Sequence, residues 1–333
     1  MRPNKNNSNN NNITKKSEKK KEVIKKKIKI KLLKSENIGF ITSFDIFPNK
    51  NYIIFIEFKT YKIYNSKLTL IKEHHFKERV QDIKIIDDNN FHCLYNDNRL
   101  VNVNIKDNKI STLIHFKKEI SSIKYYKNKI LAFSSSEDEH STDMYESTNK
   151  VGYQLITRFK IPGEDSELAE CGIYVIEKFS LLVSQTIYAA YFWDLKKSHQ
   201  YDVVEKTIRL VWPFYDNLYI LGQSQEYGEI FKLCVYDIKK REIIKKLNFD
   251  FTLIIETLFY YKKKDVIIIG GGYSKFRNRN NNTIFIFDRN FNKILTLERI
   301  HEKTILDIVL YERTNDLLIS YSEDGRLNYY NID

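Results

Sequence analysis

The chain has 333 residues and carries 44 Tyr and Phe against only four Pro and ten Gly, a composition that favours β-strands and a sizeable core. No apolar run approaches the roughly 18 residues of a membrane-spanning helix, and no apolar core of a secretory signal is present. These absences exclude the common membrane and secreted classes, so we expect an intracellular protein of the cytoplasm, the nucleus or both.

The net charge of +12 is concentrated at the amino terminus. Residues 1–34 hold 13 Lys or Arg and two Glu, whereas residues 35–333 hold 42 basic and 41 acidic residues. Residues 1–26 are rich in Asn and Lys and too polar to fold, so a disordered tail is predicted there. The tail lysines are interpreted as a nuclear import signal, as RNA phosphate contacts or as plain solubilising charge: Lys15, Lys16, Lys19, Lys20, Lys21, Lys25, Lys26 and Lys27.

The remaining residues, 27–333, repeat themselves. The segment HFKERVQDI from His75 is echoed by HFKKEISSI from His115, and DNRLVNVNI from Asp97 by DGRLNYYNI from Asp324. Six apolar strands end in a hydrophobic residue followed by Asp or Asn, at positions separated by 39, 90, 43, 51 and 43 residues: Asn65, Asn104, Asp194, Asp237, Asp288 and Asn331. A degenerate unit near 119–162, a regular blade or an irregular insertion, fills the double gap. Seven units of about 43 residues result, the length of a propeller blade.

The last unit, residues 301–333, resembles a WD repeat. His301, Ser320 or Ser322, Asp324 and Gly325 stand in the expected order, and Tyr330 replaces the family's Trp. The family's Trp-Asp dipeptide is kept once, at Trp193 and Asp194. The resemblance implies an all-β, seven-bladed propeller in which these residues form a structural hydrogen-bonded network.

The same resemblance implies how the ring closes. The chain ends after the third strand of the last unit, which leaves one strand missing there. Propellers of this family close by borrowing a strand from the other terminus, which removes open sheet edges. The alternation of Ile28, Ile30 and Leu32 with Lys makes residues 27–34 the expected donor.

Two acidic segments, 134–150 and 162–170, are predicted to be loops on one face of the propeller. Together they form a patch suited to a basic segment of a partner protein, or a solvated insertion without a partner. Ser134, Ser135 and Ser136 are candidate phosphorylation sites that would deepen the negative charge. The predicted patch contains Glu137, Asp138, Glu139, Asp143, Glu146, Glu164, Asp165, Glu167 and Glu170.

Motifs for catalysis, metals and cofactors are missing from the sequence. No HExxH or GxSxG pattern occurs, and the run Gly270–Gly272 lacks the Lys-Ser/Thr of a phosphate loop. We therefore expect a non-catalytic scaffold without a cofactor, monomeric within a multiprotein complex and not inserted in a membrane. The main alternative is a nuclear or nucleolar ribonucleoprotein or ribosome-biogenesis component whose tail contacts RNA, and a propeller enzyme is the lesser one.

Overall fold

The computed structural model describes residues 28–39, 41, 43–47, 52–65, 67, 69–136, 139–148, 152–161, 173–185, 189–204, 208–224, 230–248, 253–273, 282–311 and 317–333. The predicted tail and Lys27 lie outside these residues.

The described residues form 28 strands and one 3₁₀ turn at Glu177–Phe179. The first half of the chain contains β1 (Ile30–Asn37), β2 (Ser43–Ile46), β3 (Tyr52–Glu57), β4 (Thr60–Asn65), β5 (Leu70–His75), β6 (Val80–Ile85), β7 (Asn90–Tyr95), β8 (Arg99–Asn104), β9 (Ile110–His115), β10 (Ser122–Tyr126), β11 (Lys129–Ser136), β12 (Glu139–Thr148) and β13 (Gly152–Lys160). The second half contains β14 (Ile173–Ile176), β15 (Leu181–Gln185), β16 (Ala190–Asp194), β17 (His199–Val204), β18 (Ile208–Pro213), β19 (Leu218–Ser224), β20 (Ile230–Asp237), β21 (Glu242–Asn248), β22 (Leu253–Tyr261), β23 (Val266–Tyr273), β24 (Asn282–Asp288), β25 (Lys293–His301), β26 (Ile305–Tyr311), β27 (Leu317–Ser322) and β28 (Arg326–Ile332).

These strands form seven antiparallel sheets of four strands, which confirms the predicted seven-bladed propeller. Blades 1 to 6 each consist of four consecutive strands, from β2–β5 to β22–β25, and blade 7 has the order β1-β28-β27-β26. The first strands of neighbouring blades contact one another, as for β2 with β6 and β22 with β26, so the first strands surround the central channel.

The core lies between the blades, because each sheet is covered on both faces by its neighbours. On β3, Ile54 and Ile56 pack toward blade 2, whereas Ile53 and Phe55 pack toward blade 7. This explains why strands such as β3 are continuous apolar runs and do not alternate. Among the described residues, an apolar cluster fills each of the seven junctions, including the one that joins blade 7 to blade 1.

Strand β1 closes the ring, as predicted. It pairs with β28 from Ile30 opposite Ile332 to Asn37 opposite Arg326. The predicted alternation was wrong in its second half, because the register shifts after Leu32, whose side chain is 51% exposed, and Leu33 is also exposed. An outermost strand has a neighbour on one edge only, so it needs few buried side chains.

The antiparallel order gives the propeller two distinct faces. The hairpin face carries the connections between second and third strands, such as that from β11 to β12, and the links between blades. The turn face carries the connections between first and second strands and between third and fourth strands. Since β1 begins beside the end of β28, the chain enters the fold at the turn face.

The repeated Asp or Asn at the end of third strands caps the turn that follows. Asp194 Oδ1 accepts hydrogen bonds from the backbone N–H groups of Lys196 and Lys197, at 2.8 and 3.0 Å. Such turns need a short side-chain acceptor, which explains the regular spacing of these residues along the chain. Corresponding turns follow Asn65, Asn104, Asp237 and Asp288.

Candidate interaction surfaces

The structure brings together the blade 7 residues that carry the WD-repeat resemblance. His301 Nε2 lies 2.7 Å from Ser320 Oγ, and His301 Nδ1 lies 3.3 Å from Asp324 Oδ2. Asp324 also accepts the backbone N–H groups of Glu302 and Arg326, at 2.7 and 2.9 Å. Burial lowers the pKa of His301, so the neutral imidazole donates from Nδ1 and accepts at Nε2.

The residues around this network are also structural. Gly325 has a φ of +78°, the left-handed region that favours glycine in a tight turn. Tyr330 is buried in the core between blades 6 and 7. In blade 4, Trp193 is buried with its ring centroid 5.8 Å from that of Phe159, and Asp194 caps its turn.

Among the described residues, His301 is the only histidine preceding a first strand that joins such a network. Phe76 and Phe116 take the buried position in blades 2 and 3, because each stands, like His301, four residues before a buried aliphatic residue at the start of the first strand or just before it. The histidines of the two echoed segments lie nearer the surface: His74, His75 and His115.

The predicted acidic patch needs correction, because residues 139–148 form strand β12 of a regular blade 3. Asp143 is only 3% exposed, and its carboxylate binds the Arg158 guanidinium at 2.6 and 2.8 Å. Glu146 also lies on β12, 3.6 Å from Lys129 Nζ. Asp143 is therefore excluded from an exposed patch by its buried ion pair.

The other members of the predicted patch are not placed by side-chain contacts. Glu139 begins β12, and its side chain lies outside the described part of the structure. Six residues fall entirely outside the described ranges: Glu137, Asp138, Glu164, Asp165, Glu167 and Glu170. The connections that contain them, from β11 to β12 and from β13 to β14, both belong to the hairpin face.

A cluster of polar side chains lines the central channel. Ser43 Oγ on β2 donates to Asp82 Oδ1 on β6 at 3.1 Å, and Thr257 Oγ1 on β22 donates to Asp307 Oδ1 on β26 at 2.9 Å. Lys124 on β10 interacts electrostatically with both carboxylates, although blade 3 and blade 7 are not neighbours. All three side chains belong to first strands, which line the same channel. We call Ser43, Asp82, Lys124, Thr257 and Asp307 the channel cluster.

Burial sets the protonation of the channel carboxyl groups. It raises the pKa of Asp82, and it raises the pKa of Asp307 to about 6, while the Lys124 ammonium acts in the opposite direction on both. Asp82 and Asp307 are each the third residue of a first strand of six or seven residues, so they lie about midway along the channel and slightly nearer the hairpin face. The cluster thus places two carboxyl groups and one ammonium group inside the channel.

Sequence reasoning missed this cluster. Its signal was a polar residue at the same position of several first strands, seen as Asp82 and Asp307 before an Ile and as Thr257 in β22. In all three strands the register shifts just before this residue. A bulge of this kind turns a side chain out of the regular alternation and into the channel.

Replacing Asp307 with Asn should stabilise the protein at neutral pH. A carboxyl group whose pKa is raised in the folded state loses stability as pH rises from about 4 to about 6, because the folded state holds its proton more tightly. A shift of roughly two pKa units corresponds to about 3 kcal/mol. We expect the melting temperature of Asp307→Asn to be several degrees higher than that of the wild type at pH 7.5. At pH 4 the two melting temperatures should be equal.

The exposed Asp107 offers the matched control, and Asp107→Asn should leave the pH dependence of the melting temperature unchanged. A lower melting temperature for Asp307→Asn at both pH values would show that the ionised carboxylate stabilises the channel.

The glycine run serves packing between blades 6 and 7. Gly270 lies on β23, and a Cβ atom added there would sit 2.2 Å from Ile308 Cδ1 and 3.2 Å from Thr257 Cγ2. Only glycine lets the two sheets approach this closely. The position of Gly270 within a paired strand differs from the loop that cradles a phosphate.

Within the described ranges, no group of three or more His, Cys, Asp or Glu side chains is arranged to hold a metal ion. The described part of the chain also contains no helix long and apolar enough to cross a membrane.

Comparison with known proteins adds no family to this picture. No protein-family model matches the chain, and a search of curated proteins gives no significant match.

Proposed function

We propose that this protein is a non-catalytic scaffold of the WD-repeat type that binds other proteins at the hairpin face. Two features of the fold support the WD-repeat type. One is the closed ring of seven blades, and the other is the hydrogen-bonded network of His301, Ser320 and Asp324 in blade 7. A fold of this kind serves many functions, so the role must rest on a surface.

The observation that carries the proposal is the pair of carboxyl groups inside the channel, slightly nearer the hairpin face. Asp82 and Asp307 are partly buried inside the channel, where electrostatic attraction to a cationic side chain is stronger than on an open surface. When both carboxyl groups are ionised, their two charges exceed the single charge of Lys124. The partner that fits is therefore a protein segment that presents Lys or Arg to the channel.

The strand ends that flank the acidic segments 137–138 and 162–170 lie on the same face. The negative charge of these segments would favour the approach and orientation of a basic partner segment.

Affinity purification with quantitative mass spectrometry tests the scaffold function. We expect Asp82→Asn with Asp307→Asn to lose partners that carry Lys- or Arg-rich segments, because the amides keep the hydrogen bonds and remove the negative charge. Asp107→Asn is the control on the turn face and should keep every partner. An unchanged partner set for the double variant would contradict binding at the channel.

A second candidate function is a ribonucleoprotein component, and it rests on the charge of the tail. The described part of the chain begins at the turn face, on the side opposite the hairpin face. RNA contacts made by the tail alone should weaken steeply with salt and vanish in residues 27–333. RNase-sensitive co-purification and tail-dependent nuclear localisation favour this function, and their absence argues against it.

A further inference from the structure

Four aromatic rings from three segments of the chain meet on the turn face, at the junction of blades 5 and 6. The Phe214 ring centroid lies 4.4 Å from that of Tyr215, 5.1 Å from that of Tyr260 and 5.7 Å from that of Phe291. Phe214 is buried and supports the others, whereas Tyr215 is 40% exposed and Phe291 is half-buried. An aromatic surface is thus held open to solvent on a rigid base.

Basic residues surround this aromatic surface. The turn-face segments 177–180, 194–198, 214–217, 237–242, 261–265 and 288–292 of blades 4 to 6 hold ten Lys or Arg and seven Asp or Glu. Three of the acidic residues cap turns, as described for Asp194. The corresponding segments of blade 2, 85–90 and 104–110, hold two Lys and three Asp, so blade 2 carries no excess of positive charge there.

Cationic and aromatic groups are interleaved at this surface. The Arg241 guanidinium lies 4.1 Å from the Tyr201 ring centroid, and Lys245 Nζ lies 5.4 Å from that of Phe291. Tyr260 donates its hydroxyl to Asp265 at 2.5 Å, which fixes one ring of the cluster. The cations are therefore placed beside ring faces and not scattered over a separate region.

We propose that this surface binds single-stranded nucleic acid. Tyr215 and Phe291 offer ring surface on which unpaired bases stack, and Lys239, Lys240 and Lys262 lie in the flanking turns to bind phosphates. A duplex hides its bases in its own stack, so it can use the lysines but not the rings. The surface belongs to the folded body, and it lies on the face opposite the channel cluster.

Fluorescence anisotropy with a labelled 15-nucleotide uridine RNA and the full chain tests the proposal. Stacking of one base is worth about 1–3 kcal/mol, so Tyr215→Ala should weaken binding of the single strand about fivefold or more. The same substitution should leave binding of a duplex RNA within about twofold, since no base stacks there.

Charge reversal at Lys239, Lys240 and Lys262 tests the phosphate contacts independently of base stacking. Replacing all three with Glu should weaken binding and lower the slope of log K against log salt by about two, since each phosphate contact contributes about 0.7. Reversal of the exposed hairpin-face residues Lys77, Lys117 and Lys303 is the matched control and should leave the slope unchanged.

Melting temperatures verify that each variant folds, and the exposed side chains make large losses of stability unexpected. A matching DNA strand identifies the source: equal binding indicates any single strand, and weaker binding indicates RNA read through its 2′-hydroxyl. The proposal is overturned if Tyr215→Ala and the Lys239, Lys240 and Lys262 reversal both bind like the wild type. Asp82→Asn with Asp307→Asn should bind RNA normally, so failure here leaves the scaffold function untouched.

Discussion

Truncation of the chain before residue 38 should lower the melting temperature by ten degrees or more, or prevent cooperative folding. It removes β1, whose pairing from Ile30 to Asn37 completes blade 7. It also removes Ile28 and Ile30 from the core between blades 6 and 7. The exposed edge of β28 would then be open to pairing with other chains, so aggregation should accompany the loss of stability.

Truncation before residue 27 provides the matched control. It removes the tail but keeps β1, so the melting temperature should stay within about two degrees of the wild type, as for other changes outside the packed core. For both truncated proteins, circular dichroism during heating measures the melting temperature, and light scattering measures aggregation. Equal melting temperatures for the two truncations would mean that β1 does not close the ring.

Replacing Gly270 with Val should be the most damaging single substitution at a blade junction. Its Cβ would lie 2.2 Å from Ile308 Cδ1 and 2.9 Å from Ile308 Cγ1, so the two sheets must separate or Ile308 must leave its rotamer. Overpacking of a core typically costs about 1–3 kcal/mol, and two extra methyl groups place this site at about 3.

A double-mutant cycle with Ile308→Ala isolates the contact. Ile308 is buried, so its truncation alone should cost about 2–4 kcal/mol. The alanine leaves space for the valine, and the combined cost should therefore fall short of the sum by at least about 1 kcal/mol. Denaturant unfolding supplies the free energies. Strict additivity of the two free-energy costs would show that a side chain at position 270 does not contact Ile308 across the junction of blades 6 and 7.

The number of blades could be predicted because six of the seven third strands carry an Asp or Asn at or near their end. An Asp or Asn that caps its own turn depends only on the next two to four residues, as at Asp194 and Asp288. Ring closure was predictable for a related reason, since a blade that lacks a strand needs a donor.

The third strand of blade 3 was not predicted from the sequence, because β12 carries charged residues where other blades carry apolar ones. Asp143 reads as a surface residue, and it is buried only because Arg158, 15 residues later on β13, forms an ion pair with it. That partner cannot be assigned from spacing alone, so the segment was taken for a loop.

The interaction surfaces were beyond sequence reasoning for a different reason. Asp82, Lys124 and Asp307 come from the first strands of three blades, and Phe214, Tyr260 and Phe291 come from three separate segments of the chain. Their proximity follows from the order and curvature of the blades, which no local pattern encodes.

The two-faced binding role is tested most directly by one purification from the protein's native cells, with proteins and RNA quantified together. We compare the wild type, Asp82→Asn with Asp307→Asn, and Tyr215→Ala. The channel variant should lose protein partners with basic segments and keep RNA, and Tyr215→Ala should lose RNA and keep those proteins. Equal recovery of the same proteins and the same RNA by all three would contradict a scaffold with these two binding faces.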